Sequence, residues 1–438
     1  MQKYDVIIVG AGLSGLYSAY NITKLQPNTK LLVLESNKQP YIGGRIGNEV
    51  FYGENIVVGA GVGRKDTDKL LIKLLKELDI KYIPFTVEMN YSNKLINNGY
   101  YIDIKHCLDD LRRIYTKFGK NAPSITFKKF ATEHLGKTDY KKFVISSGYS
   151  DYENEDVYEV LYHYQMDDNA PGWTGMQIQW SSLISKLCDT IGTKNIIAST
   201  KVENIHNIYN TNNTNNTNNT DTCLFEIKTS SKQHPVFYSE KVIIATRIST
   251  VQKLLPKMKI YKLIHGQPFL YIYAKFDKKS SDIMSRIVPV YTIVTGFLQK
   301  LIPFSKSVYM IAYSDNKNAE ILQKYKENTP KNRDFFEKLL EETFGLKTDT
   351  LKIIAIKDYY WTIGTHYFEP LNFYKYKYKY KYKTREEFIN KAQHPEPGML
   401  VVGEAISRRQ GWTEGALESV HAVLNNKWIN NNNCKYIN

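Results

Sequence analysis

Three glycines near the N-terminus, Gly10, Gly12 and Gly15, have the spacing at which a backbone can approach a pyrophosphate. They follow the run 4–9, which is apolar after Asp5 and is typical of a buried parallel strand. The first glycine permits a tight turn, the second a close approach to phosphate, and the third the packing of a helix on the strand. We predict that helix at about 12–25, with its N-terminal N–H groups facing the phosphates.

An acidic residue and two further glycines extend this pattern. The apolar run 30–34 predicts a second strand, and Glu35 follows it, 20 residues beyond the third glycine, where a carboxylate binds ribose hydroxyls. The turn Gly43-Gly44-Arg45 offers backbone N–H groups and one guanidinium to phosphate oxygens. The N-terminal region is therefore predicted to bind a dinucleotide.

The C-terminal region carries a matching pattern. An apolar run ends in Gly403 and Glu404, and the segment 411–415, Gly-Trp-Thr-Glu-Gly, then begins a helix. A helix N-terminus carries a partial positive charge that favours the electron-rich groups of a ligand. Both ends of the chain are therefore predicted to fold onto one ligand.

These motifs resemble those of the glutathione-reductase-type FAD proteins and, within them, of the flavin-containing amine oxidase family (monoamine and polyamine oxidase-like). The resemblance spans nearly all of the chain, with strong matches at both ends and weaker ones between them. It places the segment 59–61 beside the isoalloxazine ring, with a helix following at about 66–78. It implies non-covalently bound FAD, held by Gly10, Gly12, Gly15, Glu35, Gly43, Gly44, Arg45, Gly59, Ala60, Gly61, Val202, Gly403, Glu404 and Thr413.

The resemblance also implies a reaction. A hydride would pass from a C–N substrate to flavin N5, giving an imine, and O2 would be reduced to H2O2, with the protein supplying orientation and electrostatics. Trp412 matches one aromatic wall of the family's site, and the partner wall is His366 or Tyr367, in a segment that begins at Trp361. Thr365 stands where monoamine oxidases bind the flavin through a cysteine, and threonine cannot form that thioether.

Tyr271 marks a departure from the family. Most family oxidases have a lysine on this strand, water-linked to flavin N5, and alignment on Phe276 puts Tyr271 in its place. Lys275 lies four residues later. The loss weakens the expectation of efficient oxidase turnover but not that of FAD binding, so an FAD-bound interaction or structural module with little turnover is an alternative.

Arginines near the expected site favour a second alternative. L-amino-acid oxidases of the same superfamily hold the substrate carboxylate with an arginine near the position of Arg64. Arg408 and Arg409 could also receive an acidic substrate. The small-molecule substrate is therefore an amine or an amino acid. A C–C desaturase is a further alternative, which the segment 412–419 fits less well.

The fold class predicted from these patterns is α/β. A discontinuous Rossmann-like FAD-binding domain with a parallel sheet would carry an inserted substrate domain with a mixed sheet and helices. The predicted segments are 1–78, 194–254 and 396–430 for the FAD-binding domain; 79–193 and 255–395 for the substrate domain; an Asn/Thr low-complexity loop at 210–220; a Tyr-Lys repeat loop at 374–383; and a polar tail at 431–438.

Composition bounds the partners of the chain. The 438 residues carry a net charge of +15, and a basic surface attracts nucleic acid, anionic membranes or acidic substrates. The Tyr-Lys pairs of 374–383 could grip a phosphate backbone, although a repeat expansion in a surface loop is the favoured interpretation. No stretch of 18 apolar residues predicts a membrane span or anchor.

Compartment and metal content are predicted from the same composition. The first predicted strand leaves no room for a signal peptide, and four scattered cysteines are typical of reduced thiols, so we expect a soluble intracellular protein. No side chains show metal-ligand spacing. The sequence leaves the oligomeric state open.

Overall fold

The computed structural model describes residues 3–38, 42–164, 166, 170–208, 224–371, 382 and 384–430. The predicted loop 210–220, the tail 431–438 and, apart from Tyr382, the predicted loop 374–383 lie outside these residues. The strands are β1 (Lys3–Val9), β2 (Leu31–Leu34), β3 (Asn48–Phe51), β4 (Glu54–Val57), β5 (Gly63–Arg64), β6 (Tyr82–Thr86), β7 (Met89–Tyr91), β8 (Thr174–Ile178), β9 (Ile196–Ile197), β10 (Val202–Asn207), β11 (Phe225–Thr229), β12 (Val236–Ile244), β13 (Ile264–Phe276), β14 (Tyr291–Ile293), β15 (Lys300–Pro303), β16 (Val308–Asp315), β17 (Ile353–Phe368) and β18 (Met399–Val401).

The α-helices connect and cover these strands. One of them, α6, continues into a π-helical turn at Val160–Tyr164. The helices are α1 (Leu13–Leu25), α2 (Lys69–Glu77), α3 (Asn93–Asn97), α4 (Ile104–Lys117), α5 (Phe127–Ser147), α6 (Val157–Glu159), α7 (Trp180–Ile191), α8 (Ile248–Leu254), α9 (Lys278–Ile287), α10 (Asn316–Leu322), α11 (Pro330–Phe344), α12 (Arg385–Gln393), α13 (Thr413–Val423) and α14 (Asn426–Asn430).

A seven-stranded sheet brings both ends of the chain together. Its order is β10-β11-β12-β1-β2-β9, and β18 pairs with β12. Pairing is parallel between β1 and β12, β1 and β2, β2 and β9, and β12 and β18. It is antiparallel between β10 and β11 and between β11 and β12. β1 and β2 contain continuous buried apolar runs, as strands covered on both faces require. The predicted α/β class with a parallel sheet is confirmed.

Alternate residues of β1 face two separate cores. Val6 and Ile8 pack with α1, α2, α7 and α13, and Ile7 and Val9 pack on the other face with α8 and α12. The helix predicted at 12–25 is found at Leu13–Leu25, and the one predicted at 66–78 is shorter, Lys69–Glu77. Because α13 contacts both α1 and α2, the two predicted ligand-binding ends of the chain lie side by side.

A second, mixed sheet has the order β17-β13-β16-β15-β14-β7. Its pairs are antiparallel except β14 with β7. Period-two alternation along β13 sends Leu270 and Ile272 toward α9–α11, and Tyr271 and Tyr273 toward the core shared with α1. The second sheet therefore turns an aromatic face toward the predicted cofactor domain.

Helices α4–α6 form a fourth core, which meets the second sheet at Phe269. Two smaller sheets, β3-β4 and β5-β8-β6, complete the pairing of the described strands. The domain boundaries stay a prediction. Every helix within the described ranges is too short or too polar to cross a membrane.

Candidate cofactor site and active site

The glycine loop lies where β1 turns into α1. Gly10 has φ +104°, a left-handed conformation that glycine adopts without strain. α1 begins after Gly12 with no side-chain cap, and Gly12 forms a backbone bridge with Gly43. A β-carbon placed on Gly12 would meet nothing nearer than the Cα of Gly44, at 3.9 Å. The loop therefore presents helix N–H groups to an open cradle between two glycine turns.

Glu35 contacts the glycine loop through the backbone N–H of Ala11. Its carboxylate is buried, with Oε2 accepting the Ala11 N–H at 2.8 Å and Oε1 accepting the Asn37 N–H at 2.8 Å. Oε1 also accepts the Ser36 hydroxyl at 3.1 Å, so it is Oε2 that retains a second lone pair. Glu35 therefore lies where the sequence predicts a ribose-binding carboxylate, but Val202, predicted among the FAD-binding residues, is buried in the core on the other face of the sheet.

Arg45 joins the N-terminal motif to the C-terminal one. Its Nη2 donates to Glu404 Oε2 at 2.9 Å, and its Nη1 donates to the Gly364 carbonyl at 2.6 Å. Glu404 Oε1 also accepts the N–H groups of Gly411, at 2.6 Å, and His366, at 3.1 Å. Burial opposes ionisation of Glu404, but these donors and the Arg45 charge hold its pKa well below the usual range.

His366 is held by both nitrogens of its ring. Its Nδ1 lies 2.6 Å from Glu404 Oε2, and its Nε2 accepts the Ile248 N–H at 3.3 Å. Since Nε2 accepts, the proton is on Nδ1 and the ring is neutral. Burial lowers the pKa of His366, which favours the same neutral form.

The opposite face of β17 carries Thr365 and Tyr367. The Thr365 hydroxyl lies 3.3 Å from Gln267 Nε2 and 3.5 Å from Asp151 Oδ2. Tyr367 is half-buried and stacks on His265, with ring centroids 5.2 Å apart. Burial raises the pKa of Tyr367, so its hydroxyl stays neutral near pH 7. The two candidate walls, His366 and Tyr367, therefore lie on opposite faces of the strand.

Trp412 precedes α13 and stacks on Arg64. The Arg64 Cζ lies 3.8 Å from the Trp412 ring centroid, and Arg64 Nε and Nη2 donate to Asp68 Oδ1 at 2.9 and 2.8 Å. The next residue, Thr413, has a buried hydroxyl oxygen without a hydrogen-bond partner. Such an orphaned polar atom needs a water or ligand partner, and it lies at the end of the helix where the sequence predicts a cofactor contact.

The segment 57–61 is fixed between Arg45 and the second sheet. Tyr273 donates its hydroxyl to the Val57 carbonyl at 2.7 Å, and Trp361 donates Nε1 to the Val58 carbonyl at 2.8 Å. The Ala60 N–H bonds to the Arg45 carbonyl at 2.8 Å. A β-carbon on Gly59 would lie 2.1 Å from that carbonyl oxygen, whereas one on Gly61 would meet open space.

Tyr271 is buried and packs edge-on against Tyr313, with ring centroids 4.6 Å apart. The sequence predicted a missing lysine at this position but gave no prediction for Lys300 on β15. Lys300 is fully buried, and its ammonium lies over the rings of Tyr149 and Tyr313. No local pattern around Lys300 distinguishes it from a surface lysine.

Most of the predicted cofactor residues therefore surround one cradle. They include two glycine turns, the buried carboxylate of Glu35, the Arg45–Glu404 pair and the unpartnered Thr413 hydroxyl. The open space in front of Gly12 and Gly61 would be filled by any larger side chain. These features fit an extended dinucleotide.

Sequence comparison finds similarity in the N-terminal part of the chain. The Thi4 family model matches residues 1–92. Uncharacterized protein R188 of Acanthamoeba polyphaga mimivirus is 37% identical over 84 residues, which are 19% of this chain and 16% of that protein. Thiamine thiazole synthase of Sclerotinia sclerotiorum is 39% identical over 70 residues, which are 16% of this chain and 19% of that protein. The chain thus matches under a fifth of the length of these relatives.

Comparison with solved structures covers nearly the whole chain. Cyclohexylamine oxidase from Brevibacterium oxydans IH-35A superposes with a TM-score of 0.69 at 16% identity, over 95% of this chain and 96% of that chain. Wild-type putrescine oxidase bound to putrescine superposes with a TM-score of 0.69 at 11% identity, over 95% and 97%. The chain therefore has the fold of these two amine oxidases, which confirms the fold that the resemblance to the flavin-containing amine oxidases implied.

Proposed function

We propose that this chain is an FAD-dependent oxidoreductase of the amine oxidase type. The observation that carries the proposal is the junction of the two end motifs, where Arg45 from the N-terminal turn bonds to Glu404 from the C-terminal one beside the glycine cradle. The fold shared with two proteins named as amine oxidases supports it. When bound, FAD would supply the acceptor for a hydride from the carbon beside a substrate nitrogen, giving an imine and, on reaction with O2, H2O2.

The residues of the cradle would hold FAD by complementary charge and hydrogen bonding. The uncapped N-terminus of α1 would face the pyrophosphate, and Glu35 would accept a ribose hydroxyl on the remaining lone pair of Oε2. Arg45 is 31% exposed in its side chain, so its guanidinium can also reach a ligand oxygen. Thr413 would gain the hydrogen bond that its hydroxyl lacks.

Trp412 and Tyr367 are the pair of aromatic walls that we propose for the substrate. His366 is less suited to this role because Glu404 and Ile248 already engage both of its ring nitrogens. Thr365, on the Tyr367 face, lies near Gly411, the residue before Trp412. Tyr271 and Tyr273 would add a neutral aromatic boundary that limits water near the reacting carbon.

Anaerobic bleaching of the flavin tests this function. Purified protein reconstituted with FAD should show flavin absorbance, and an amine substrate should bleach it without oxygen. Readmitted O2 should restore the colour and release H2O2. Free FAD with the same amines is the control. Protein that takes up no FAD would contradict the proposal. A bound flavin that no amine bleaches would support FAD binding but contradict amine oxidation.

The bound flavin is expected to be fully dissociable. The side chain nearest to the family's covalent position is Thr365, whose hydroxyl cannot form a thioether and lies 3.3 Å from Gln267 Nε2. Acid precipitation of the loaded protein should therefore leave all of the FAD in the supernatant. Yellow colour retained in the washed precipitate would contradict non-covalent binding.

A second candidate function is an FAD-bound module with little turnover. The observation that favours it is Tyr271, packed on Tyr313, at the position where the family resemblance implies a lysine. Neutral phenols lack the basic nitrogen of that lysine. The bleaching experiment separates the two candidates, because only an oxidase reduces its flavin with an amine at a catalytic rate.

A further inference from the structure

We infer that Arg64 is a positioning residue for Trp412 and does not receive a substrate carboxylate. The inference rests on the proposed function and deepens it, because it assigns the substrate to amines without a carboxylate on the reacting carbon. It starts from a contact between two sequence positions 348 residues apart, the Arg64 guanidinium and the Trp412 ring.

Asp68 already occupies the Nε–Nη2 edge of the Arg64 guanidinium. Nε and Nη2 of Arg64 donate to Asp68 Oδ1 at 2.9 and 2.8 Å, and the Arg64 N–H donates to Oδ2 at 2.7 Å. Arg64 is 3% exposed and Asp68 is fully buried. A substrate carboxylate would have to enter this buried pair and lie beside the like charge of Asp68, which disfavours its binding.

The carbon of the same guanidinium lies over the Trp412 ring. Its Cζ is 3.8 Å from the ring centroid, within the distance of a cation–π pair. A planar guanidinium fixed by a carboxylate along one edge is a rigid surface. It therefore limits how far the Trp412 ring can rotate.

Two further contacts hold the same segments in register. Glu414, two residues after Trp412, accepts the N–H groups of Leu70 and Leu71 at 2.7 and 2.9 Å, at the start of α2. Asp68 is the N-cap residue of α2 but makes no side-chain cap bond, because its carboxylate is committed to Arg64. Glu414 supplies the missing cap and ties the Trp412 loop to the Arg64 segment.

A double-mutant cycle between the ion pair and the ring tests the inference. The double variant R64Q/D68N removes both charges together, so no buried ion is left alone, and W412L removes the ring. R64Q/D68N should lower kcat/KM for an amine by about ten- to a hundredfold, because the wall is misplaced. In the W412L background the same change should lower kcat/KM by less than about twofold. Equal losses in both backgrounds would overturn the inference.

The position of the ring can also be read without turnover. The fluorescence of Trp412 is the difference between the wild type and W412L, and acrylamide should quench it more strongly in R64Q/D68N. K65Q, which removes a neighbouring exposed charge, is the matched control and should leave quenching unchanged. Unchanged quenching in R64Q/D68N overturns the inference. A flavin that no amine bleaches defeats the proposed function, but the quenching result still decides whether Arg64 positions Trp412.

Amino acids provide the last arm of the test. Phenylalanine should bleach the flavin no faster than a buffer control. The matched probe is 2-phenylethylamine, the corresponding amine without the carboxylate, and its rate of bleaching is compared with that of phenylalanine. Rapid bleaching by phenylalanine, together with a KM that rises in R64Q/D68N only for the acid, would assign Arg64 to the substrate instead.

Discussion

Replacement of Gly12 by alanine is expected to abolish tight FAD binding without loosening the fold. Gly12 has φ −75° and ψ 179°, a conformation that any residue adopts, and its new β-carbon would meet nothing nearer than 3.9 Å. The methyl group would instead fill the space through which a pyrophosphate approaches the backbone. The affinity for FAD should fall by on the order of a hundredfold, about 2.8 kcal/mol. Flavin fluorescence titration measures it.

Gly15 is the matched control for this prediction. A β-carbon on Gly15 would lie 1.9 Å from the backbone oxygen of Gly10, so Gly15→Ala must displace α1 from β1. It should lower the free energy of unfolding of the cofactor-free protein by about 1–3 kcal/mol or more in urea. Gly12→Ala should leave that free energy within about 0.5 kcal/mol of the wild type. Gly12→Ala protein with wild-type FAD affinity would contradict our assignment of the cradle.

The predictable part of this fold is the part encoded by short-range patterns. The apolar runs at 4–9 and 30–34 and the glycine spacing predict β1, β2 and α1 almost to the residue, because strand burial and turn geometry depend on neighbouring positions. The apolar run before Gly403 and the helix start at 411–415 match β18 and α13 for the same reason. The order of strands in the second sheet had no such signal.

The pairings that organise the site could not be predicted because they join distant positions. Glu414 caps α2 across 344 residues, and His366 meets Glu404 across 38. A carboxylate or imidazole has the same local pattern whether it faces a ligand or another side chain. His366 thus matched a substrate wall in sequence, although the structure holds its ring against Glu404. Arg64 and Asp68 are four residues apart, so their ion pair did have a short-range signal in the sequence.

Replacement of Glu404 is expected to have the largest effect on stability. Glu404 is 5% exposed and accepts four donors: Arg45 Nη2 and His366 Nδ1 on one oxygen, and the N–H groups of His366 and Gly411 on the other. Glutamine offers only one oxygen, so its NH2 group would face two donors in either orientation. Removal of the charge also leaves Arg45 without its counter-ion in a partly buried position.

Glu404→Gln should therefore lower the free energy of unfolding by about 3–5 kcal/mol, the cost typical of breaking a buried pair from one side. Urea unfolding of the cofactor-free protein measures this cost directly. Glu418→Gln is the control on the same C-terminal segment, since Glu418 pairs with Arg409 at 3.3 Å but is 35% exposed, and it should cost less than about 1 kcal/mol. Because either Arg45 or Gly411 loses its acceptor, depending on which way the glutamine amide faces, FAD should also bind more weakly to Glu404→Gln protein that remains folded. A Glu404→Gln variant as stable as Glu418→Gln would show that the junction between the two ends of the chain does not depend on this carboxylate.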